Sequence, residues 1–311
     1  MSEVKKIATR ESMGDALAAL GKEKENLVVL DADLAGATQT ARFKKVFPER
    51  FIDCGIAESN MMGIAAGLAT TGKVPFVSTF AMFAAGRAFD QIRNSIAYPH
   101  INVKIAATHG GVSVGEDGAT HQCNEDFALM RVIPGMTVMC PSDDVEAKEM
   151  IKAAYEIDGP VYMRFGRYPV PVINDHPDYK FQAGKGIVMR DGKDMTIIAN
   201  GILVGPALEV AERLAAEKGI DAAVINMHTI KPLDEELVLE YAKKTGKIVT
   251  LEEHSVIGGL GSAVCDYLCS VYPVPVQKIG NYDCFGRSGK AEELLHLYKL
   301  DAEGIYEQIV C

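Results

Sequence analysis

The chain has 311 residues, 48% of them hydrophobic and 24% charged, with a formal net charge of −10 and a pI of about 5.3. That length suffices for two hydrophobic cores, because single cores rarely grow past about 250–300 residues. The acidic balance argues against nucleic acid and anionic membrane surfaces as partners, since both need a basic patch, but it leaves room for a local cationic pocket.

In chain order, Met1-Ser-Glu-Val-Lys-Lys-Ile7 has no apolar run behind its lysines, so no signal peptide is expected. Helical patterns at 12–20, 58–70, 84–97, 124–132 and 144–157 then alternate with β-rich runs at 27–31, 50–54, 75–79, 103–108, 137–140 and 161–164. Such alternation predicts a parallel sheet covered on both faces. Ligands bind such sheets beyond the carboxyl ends of the strands. Glu58, Phe80, His109 and the 115–122 loop all follow predicted strands.

The Pro-rich stretch 168–177 reads as a linker. A second α/β pattern follows, with strands at 195–199, 222–226, 248–251 and 274–279 and helices at 204–218, 234–244, 261–271 and 290–298. The expected fold is α/β with two parallel-sheet domains, spanning 1–175 and 185–311. No apolar run is long enough for a bilayer span, and no internal repeat or low-complexity segment interrupts the pattern. Seven scattered cysteines (Cys54, Cys123, Cys140, Cys265, Cys269, Cys284 and Cys311) fit reduced thiols in a cytoplasmic setting. Cys265 and Cys269 lie one helical turn apart without further ligands at zinc-finger spacing, so no metal site is expected in this chain.

Several residues could carry chemistry. Glu58 opens the apolar helix Met61-Met-Gly-Ile-Ala-Ala-Gly-Leu-Ala69. The helix dipole alone favours an acid there. A carboxyl in apolar surroundings could equally share a proton with a ring nitrogen. Phe80 and Phe83 follow a strand and suit either core packing or stacking on a flat heteroaromatic ring. His109-Gly-Gly111 runs into Gly115-Glu-Asp-Gly-Ala-Thr-His-Gln122, whose glycines allow unusual backbone angles and close approach to a ligand. Asp117 and His121 within it can hydrogen-bond several hydroxyls of a small polyol, and His can shuttle a proton. Arg164 and Arg167, and more weakly Arg10, offer forks that match phosphate. Gly258-Gly-Leu-Gly-Ser-Ala263 departs from the dinucleotide fingerprint and reads as a tight turn.

Taken together, Asp53-Cys-Gly-Ile-Ala-Glu-Ser-Asn-Met-Met62, Ser78-Thr-Phe-Ala-Met-Phe83, Thr108-His-Gly-Gly-Val-Ser-Val-Gly-Glu-Asp-Gly-Ala-Thr-His-Gln122 and Phe285-Gly-Arg-Ser-Gly289 resemble the C-terminal half of transketolase over essentially the whole chain. The resemblance implies a pyrimidine-binding domain of the thiamine-diphosphate enzymes, followed by the transketolase C-terminal domain. It implies that Glu58 faces the aminopyrimidine of thiamine diphosphate, that Phe80 and Phe83 pack around that ring, and that Asp33 lies close to the cofactor. Asp117 and His121 would read sugar hydroxyls, with His121 catalytic beside Glu58. His109, Arg167 and Arg10 would contact the phosphate end of the substrate. Segment 35–38 lacks the serine usual beside that phosphate, with Thr38 as the candidate substitute. Gly86 stands where many relatives carry an aromatic, and Ala119 and Cys123 replace common prolines.

The family holds the diphosphate and a divalent metal with a Gly-Asp-Gly segment and a downstream Asn, and this chain has no Gly-Asp-Gly. The pattern therefore resembles split transketolases. It implies an N-terminal subunit that carries the diphosphate and Mg²⁺, a dimer of heterodimers, and sugar phosphates as substrates. Rival readings are the β subunit of a 2-oxo-acid dehydrogenase, a fragment like 1-deoxyxylulose-5-phosphate synthase, and a non-catalytic binding protein. The polar 115–122 loop weighs against the first, because an oxo-acid site has little use for hydroxyl readers.

Overall fold

A computed structural model of the chain describes residues 5–310; the first four residues of the signal-peptide reading, and Cys311, lie outside them. The strands of the first half are β1 (Lys6–Ala8), β2 (Leu27–Asp31), β3 (Phe51–Asp53), β4 (Val74–Ser78), β5 (Lys104–Thr108), β6 (Thr137–Met139), β7 (Val161–Phe165) and β8 (Pro169–Pro171). Those of the second half are β9 (Ile187–Arg190), β10 (Met195–Ala199), β11 (Ala222–Asn226), β12 (Thr229–Lys231), β13 (Ile248–Ser255) and β14 (Val276–Asn281).

Two α/β sheets form, as expected. The first has the order β12-β6-β7-β5-β4-β2-β3, parallel from β6 through β3. Every residue of β2, β4, β5 and β7 is buried, which is why these strands read as mostly apolar runs, with Asp31, Lys104 and Arg164 as the charged exceptions. The second sheet has the order β14-β13-β10-β11-β9, with β9 antiparallel to β11. β1 and β8 pair as a small antiparallel ribbon, so the predicted linker is partly ordered as strand.

The halves are joined by more than the linker. β12, from the second half of the chain, pairs antiparallel with β6 and extends the first sheet. Glu146 buries its carboxylate at this junction, where it accepts hydrogen bonds from the Ser142 hydroxyl, the Asn226 amide and the Tyr179 hydroxyl. β13 also runs farther than its apolar core predicts, through Glu252, Glu253 and His254, all buried.

The predicted helix at 84–97 is not a regular α-helix. Met82–Arg87 and Ile92–Ala97 are π-helical, on either side of a short α-turn at Phe89–Gln91. Wide π turns commonly mark functional positions. Here one brings the Arg87 guanidinium 4.6 Å from the centre of the Phe83 ring. Among the described residues no helix is long and apolar enough to cross a membrane.

Candidate functional site

The carboxyl ends of β2, β3, β4, β5 and β7 deliver the candidate residues to one region. Beyond β2, the buried Asp31 carboxylate accepts from the Leu34 N–H and from the hydroxyls of Thr38 and Thr40. This folds the 33–40 loop onto the sheet. It also occupies the Thr38 hydroxyl in the interior, so Thr38 is not free to act as a phosphate-side serine. Asp33 is exposed, in the left-handed region at φ 62°, and its N–H donates to Asp53 Oδ1. The same Asp53 oxygen accepts from Gly55 N–H, tying the Asp33 loop to the turn that leads into Glu58.

Glu58 is the first residue of the helix Glu58–Ala69 and is 1% exposed. Met61, Met62, Ala65 and Ala66 on the same helix are buried in the core. Its carboxylate has one cationic partner: Arg87 Nη1 lies 2.8 Å from each oxygen. Arg87 is 51% exposed, so this partner can leave into solvent without vacating a buried pocket. Nothing in the residue pattern links the pair, because the two stand 29 positions apart on different elements.

An aromatic ladder starts at Arg87. Phe83 and Phe80 are near-parallel, with ring centres 5.8 Å apart and planes at 13°. Phe80 stacks on His109 at 3.8 Å. His121 meets both phenylalanines edge-on, at 5.3 Å from Phe83 and 6.0 Å from Phe80. Glu58, Phe83, Phe80, His121 and His109 are thus brought together. Asp117 is exposed at the tip of its loop; its charge acts on Arg10.

His109 follows β5 with φ 58°, a left-handed conformation rare for a residue with a side chain and typical of strained functional positions. Its Nε2 lies 3.2 Å from Arg10 Nη1, and arginine can only donate, so Nε2 accepts. Nδ1 then carries the proton and donates to Thr108 Oγ1 at 2.8 Å. Burial, followed by the charges of Arg10 and Arg167, pushes the His109 pKa down to about 3. The ring is a neutral, oriented imidazole at neutral pH. The unfolded chain binds this proton more readily, so the residue's contribution to stability falls as pH drops from about 6.5 towards about 3. Carbon shifts of the His109 ring, followed by NMR from about pH 8 to about pH 4, should stay those of the neutral tautomer; a midpoint near 6.5 would contradict this geometry.

Arg10 also donates to Ala37 O at 2.8 Å, and burial, then Arg167, lowers its pKa. Arg167 lies past the end of β7 and bonds Val114 O and the Glu116 carboxylate. Arg164, which the sequence grouped with Arg167, sits inside β7 and points elsewhere: it is buried at the domain junction beside Asp126. Among the described residues no cluster of three or more His, Cys, Asp or Glu is gathered as for a metal ion.

Residues 5–171 match the family described as transketolase, pyrimidine binding domain, and residues 184–305 match transketolase, C-terminal domain. The chain is 52% identical over 303 residues to a Methanocaldococcus jannaschii protein described as a transketolase C-terminal section, covering 97% of this chain and 95% of that one. It is 44% identical over 296 residues to a 6-deoxy-6-sulfo-D-fructose transketolase subunit of a Clostridium species, covering 95% and 91%. A solved structure described as a split gene transketolase, inactive beta4 tetramer, superposes with a TM-score of 0.90 at 54% identity, covering 97% of this chain and 96% of that one.

Proposed function

The chain belongs to the transketolase family of thiamine-diphosphate-dependent transferases, as the C-terminal section of a split transketolase, and we propose that it forms the wall of the active site that holds the aminopyrimidine and the sugar. A separate N-terminal subunit holds the diphosphate and Mg²⁺, and two such pairs assemble into a dimer of heterodimers. The reaction moves a two-carbon ketol unit from a ketose phosphate to an aldose phosphate in the cytoplasm. Free cysteines among the described residues suit that reducing compartment.

The observation that carries this reading is the Glu58 carboxylate, buried at a helix start and linked through Arg87 and the Phe83–Phe80 stack to His121 and His109. The donor set fits the ring half of thiamine diphosphate: an acid for a ring nitrogen and aromatic faces for a flat heterocycle. When bound, the cofactor supplies the carbanion chemistry that side chains lack. Glu58 would hold a proton toward the pyrimidine nitrogen, which requires Arg87 to yield at least part of its hold on the carboxylate. Phe80 and Phe83 would hold the ring and exclude water, and Asp33 would stand on the cofactor side. His121 moves a proton at the substrate oxygen, and with Asp117 it orients the sugar hydroxyls. Neutral His109 donates or accepts without bringing charge of its own. Arg10 and Arg167 face the anionic end of the sugar.

Two relatives support the division of labour. The sulfosugar transketolase relative is named as a subunit, and the solved four-chain relative is described as inactive, as expected of a chain that lacks its partner. The matched families and relatives favour this reading over the oxo-acid dehydrogenase, deoxyxylulose phosphate synthase and binding-protein alternatives. The test is reconstitution. The chain mixed with a polypeptide carrying Gly-Asp-Gly and the downstream Asn should transfer ketol units in the presence of thiamine diphosphate and Mg²⁺, and neither chain should do so alone. Tight cofactor binding and turnover by this chain unaided would overturn the proposal.

A further inference from the structure

The Phe285-Gly-Arg-Ser-Gly289 segment belongs to the C-terminal domain, yet it packs on the loop that carries Asp117 and His121. Gln122 Nε2 donates to Arg287 O at 2.9 Å and to Val112 O at 3.1 Å, pinning the two loops together. Gly118 approaches Ser288, and Gly286 approaches Gln122, so closely that neither glycine leaves room for a side chain. This docking sets the next residue, Lys290, on the rim of a cavity of about 400 Å³ shared with Arg10, Ser113, Glu116, Arg167 and Glu292.

The polar groups of that cavity are incompletely matched. Arg10, Arg167 and Lys290 face two acids, Glu116 and Glu292, leaving the wall net positive in a chain of net charge −10. Glu116 is tied to Arg167 at 3.1 Å. Arg10 Nε is buried with no hydrogen-bond partner. The Ser113 hydroxyl is likewise buried, with the Glu253 carboxyl beside it as acceptor. Lys290 is 73% exposed and has a loose ion pair with Glu293 at 3.7 Å. Buried donors without acceptors are costly unless a ligand or water satisfies them.

We infer that Lys290 completes the anion subsite, so that the C-terminal domain itself reads the charged, tetrahedral oxyanion end of the sugar. The inference rests on the reading of Arg10 and Arg167 given above and extends it to a third cation that reaches the subsite from outside the arginine pair. Lys290 stands on the open side, where it selects among substrates by charge rather than taking part in bond making.

The reconstituted enzyme is assayed with D-ribose 5-phosphate and with D-ribose as acceptors. Lys290→Met should raise KM for the phosphorylated sugar about two- to five-fold at low salt, the range expected of an exposed charge pair. It should leave kcat, and KM for D-ribose, unchanged. Lys290→Arg should restore KM. Equal effects on both sugars, or none, overturn the assignment. Inorganic phosphate titrated into the full chain reads the subsite without turnover. Weaker phosphate binding by Lys290→Met, combined with an inactive wild-type pair, would keep this assignment and remove the transketolase reading. Unchanged binding in a working enzyme would do the opposite. Methanesulfonate run beside phosphate distinguishes sulfonate from phosphate ends, and failure of both to bind also overturns the inference.

Discussion

Glu58→Ala should reduce kcat of the reconstituted enzyme by about 10²–10⁴-fold, the range for losing a positioned proton-transfer group, while the variant folds and associates normally. Both halves of that expectation come from the geometry. The carboxylate is 1% exposed, but its partner Arg87 is 51% exposed, so truncation releases the guanidinium into water instead of stranding it. The usual penalty for breaking a buried ion pair comes from the orphaned charge, and here no buried charge is orphaned. Glu58→Gln sharpens the result: the amide keeps the shape and can still hydrogen-bond, but it cannot take up a proton. It should therefore resemble Glu58→Ala in kcat. Steady-state kinetics, a thermal melt and size-exclusion chromatography of the pair read the three quantities. Near-normal kcat for the alanine variant would remove Glu58 from the mechanism.

The sheets were legible because their central strands are covered on both faces and so had to be mostly apolar. β12 was not, because a three-residue edge strand has no pattern of its own and its partner β6 lies in the other half of the chain. The end of β13 was hidden for a different reason. Glu252, Glu253 and His254 break the apolar pattern that ended the expected strand at 251, yet the acids are buried against N–H groups: Glu252 accepts from Leu260 and Gly261, and Glu253 from Ser113. The π-helical turns at 82–87 and 92–97 escaped because composition does not distinguish them from an α-helix.

The site shows the same division. Glu58, Phe80, Phe83 and His109 could be singled out because each follows a strand end within a few residues, where the fold class puts ligands, and His121 because it lies on the glycine-rich loop that continues from β5. Arg87 and Lys290 could not, since what marks them is a neighbour distant in sequence: Glu58 for the first, and the docked 285–290 segment with its cavity for the second. Arg164 and Arg167 looked alike in sequence. The pleat separates them: Arg164 lies within β7 and turns into the junction, whereas Arg167 lies past its end and faces the cavity.

That separation makes Arg164 the residue whose loss should cost most in stability. Its side chain is 5% exposed, with Nε 3.4 Å from Asp126 Oδ2 and Nη2 donating to Cys123 O at 3.0 Å, and its guanidinium 4.6 Å over the Phe127 ring. Burial opposes its charge, but Asp126 and Glu253 outweigh burial and raise its pKa. Asp126 comes from the first half of the chain and Glu253 from β13, so one cation serves acids on both sides of the domain junction. Arg164→Met should destabilise the chain by about 3–5 kcal/mol, because it leaves those carboxyls buried without their counter-charge. A fall in melting temperature of roughly 10 °C follows. Arg164→Lys should recover part of the loss, keeping the charge without the fork. Adding Asp126→Leu to Arg164→Met should also recover part, since removing both partners of a buried pair costs less than removing one. The Tyr162 hydroxyl, which donates to Asp126 at 2.7 Å, then loses its acceptor and sets the limit of that recovery. Gly110 packs directly against the Arg164 guanidinium, so the strand end that holds His109 in its left-handed conformation loses a support in every one of these variants. Denaturant midpoints should therefore fall together with the protection of His109 from solvent. A midpoint unchanged in Arg164→Met would mean that the pair contributes nothing to holding the halves together.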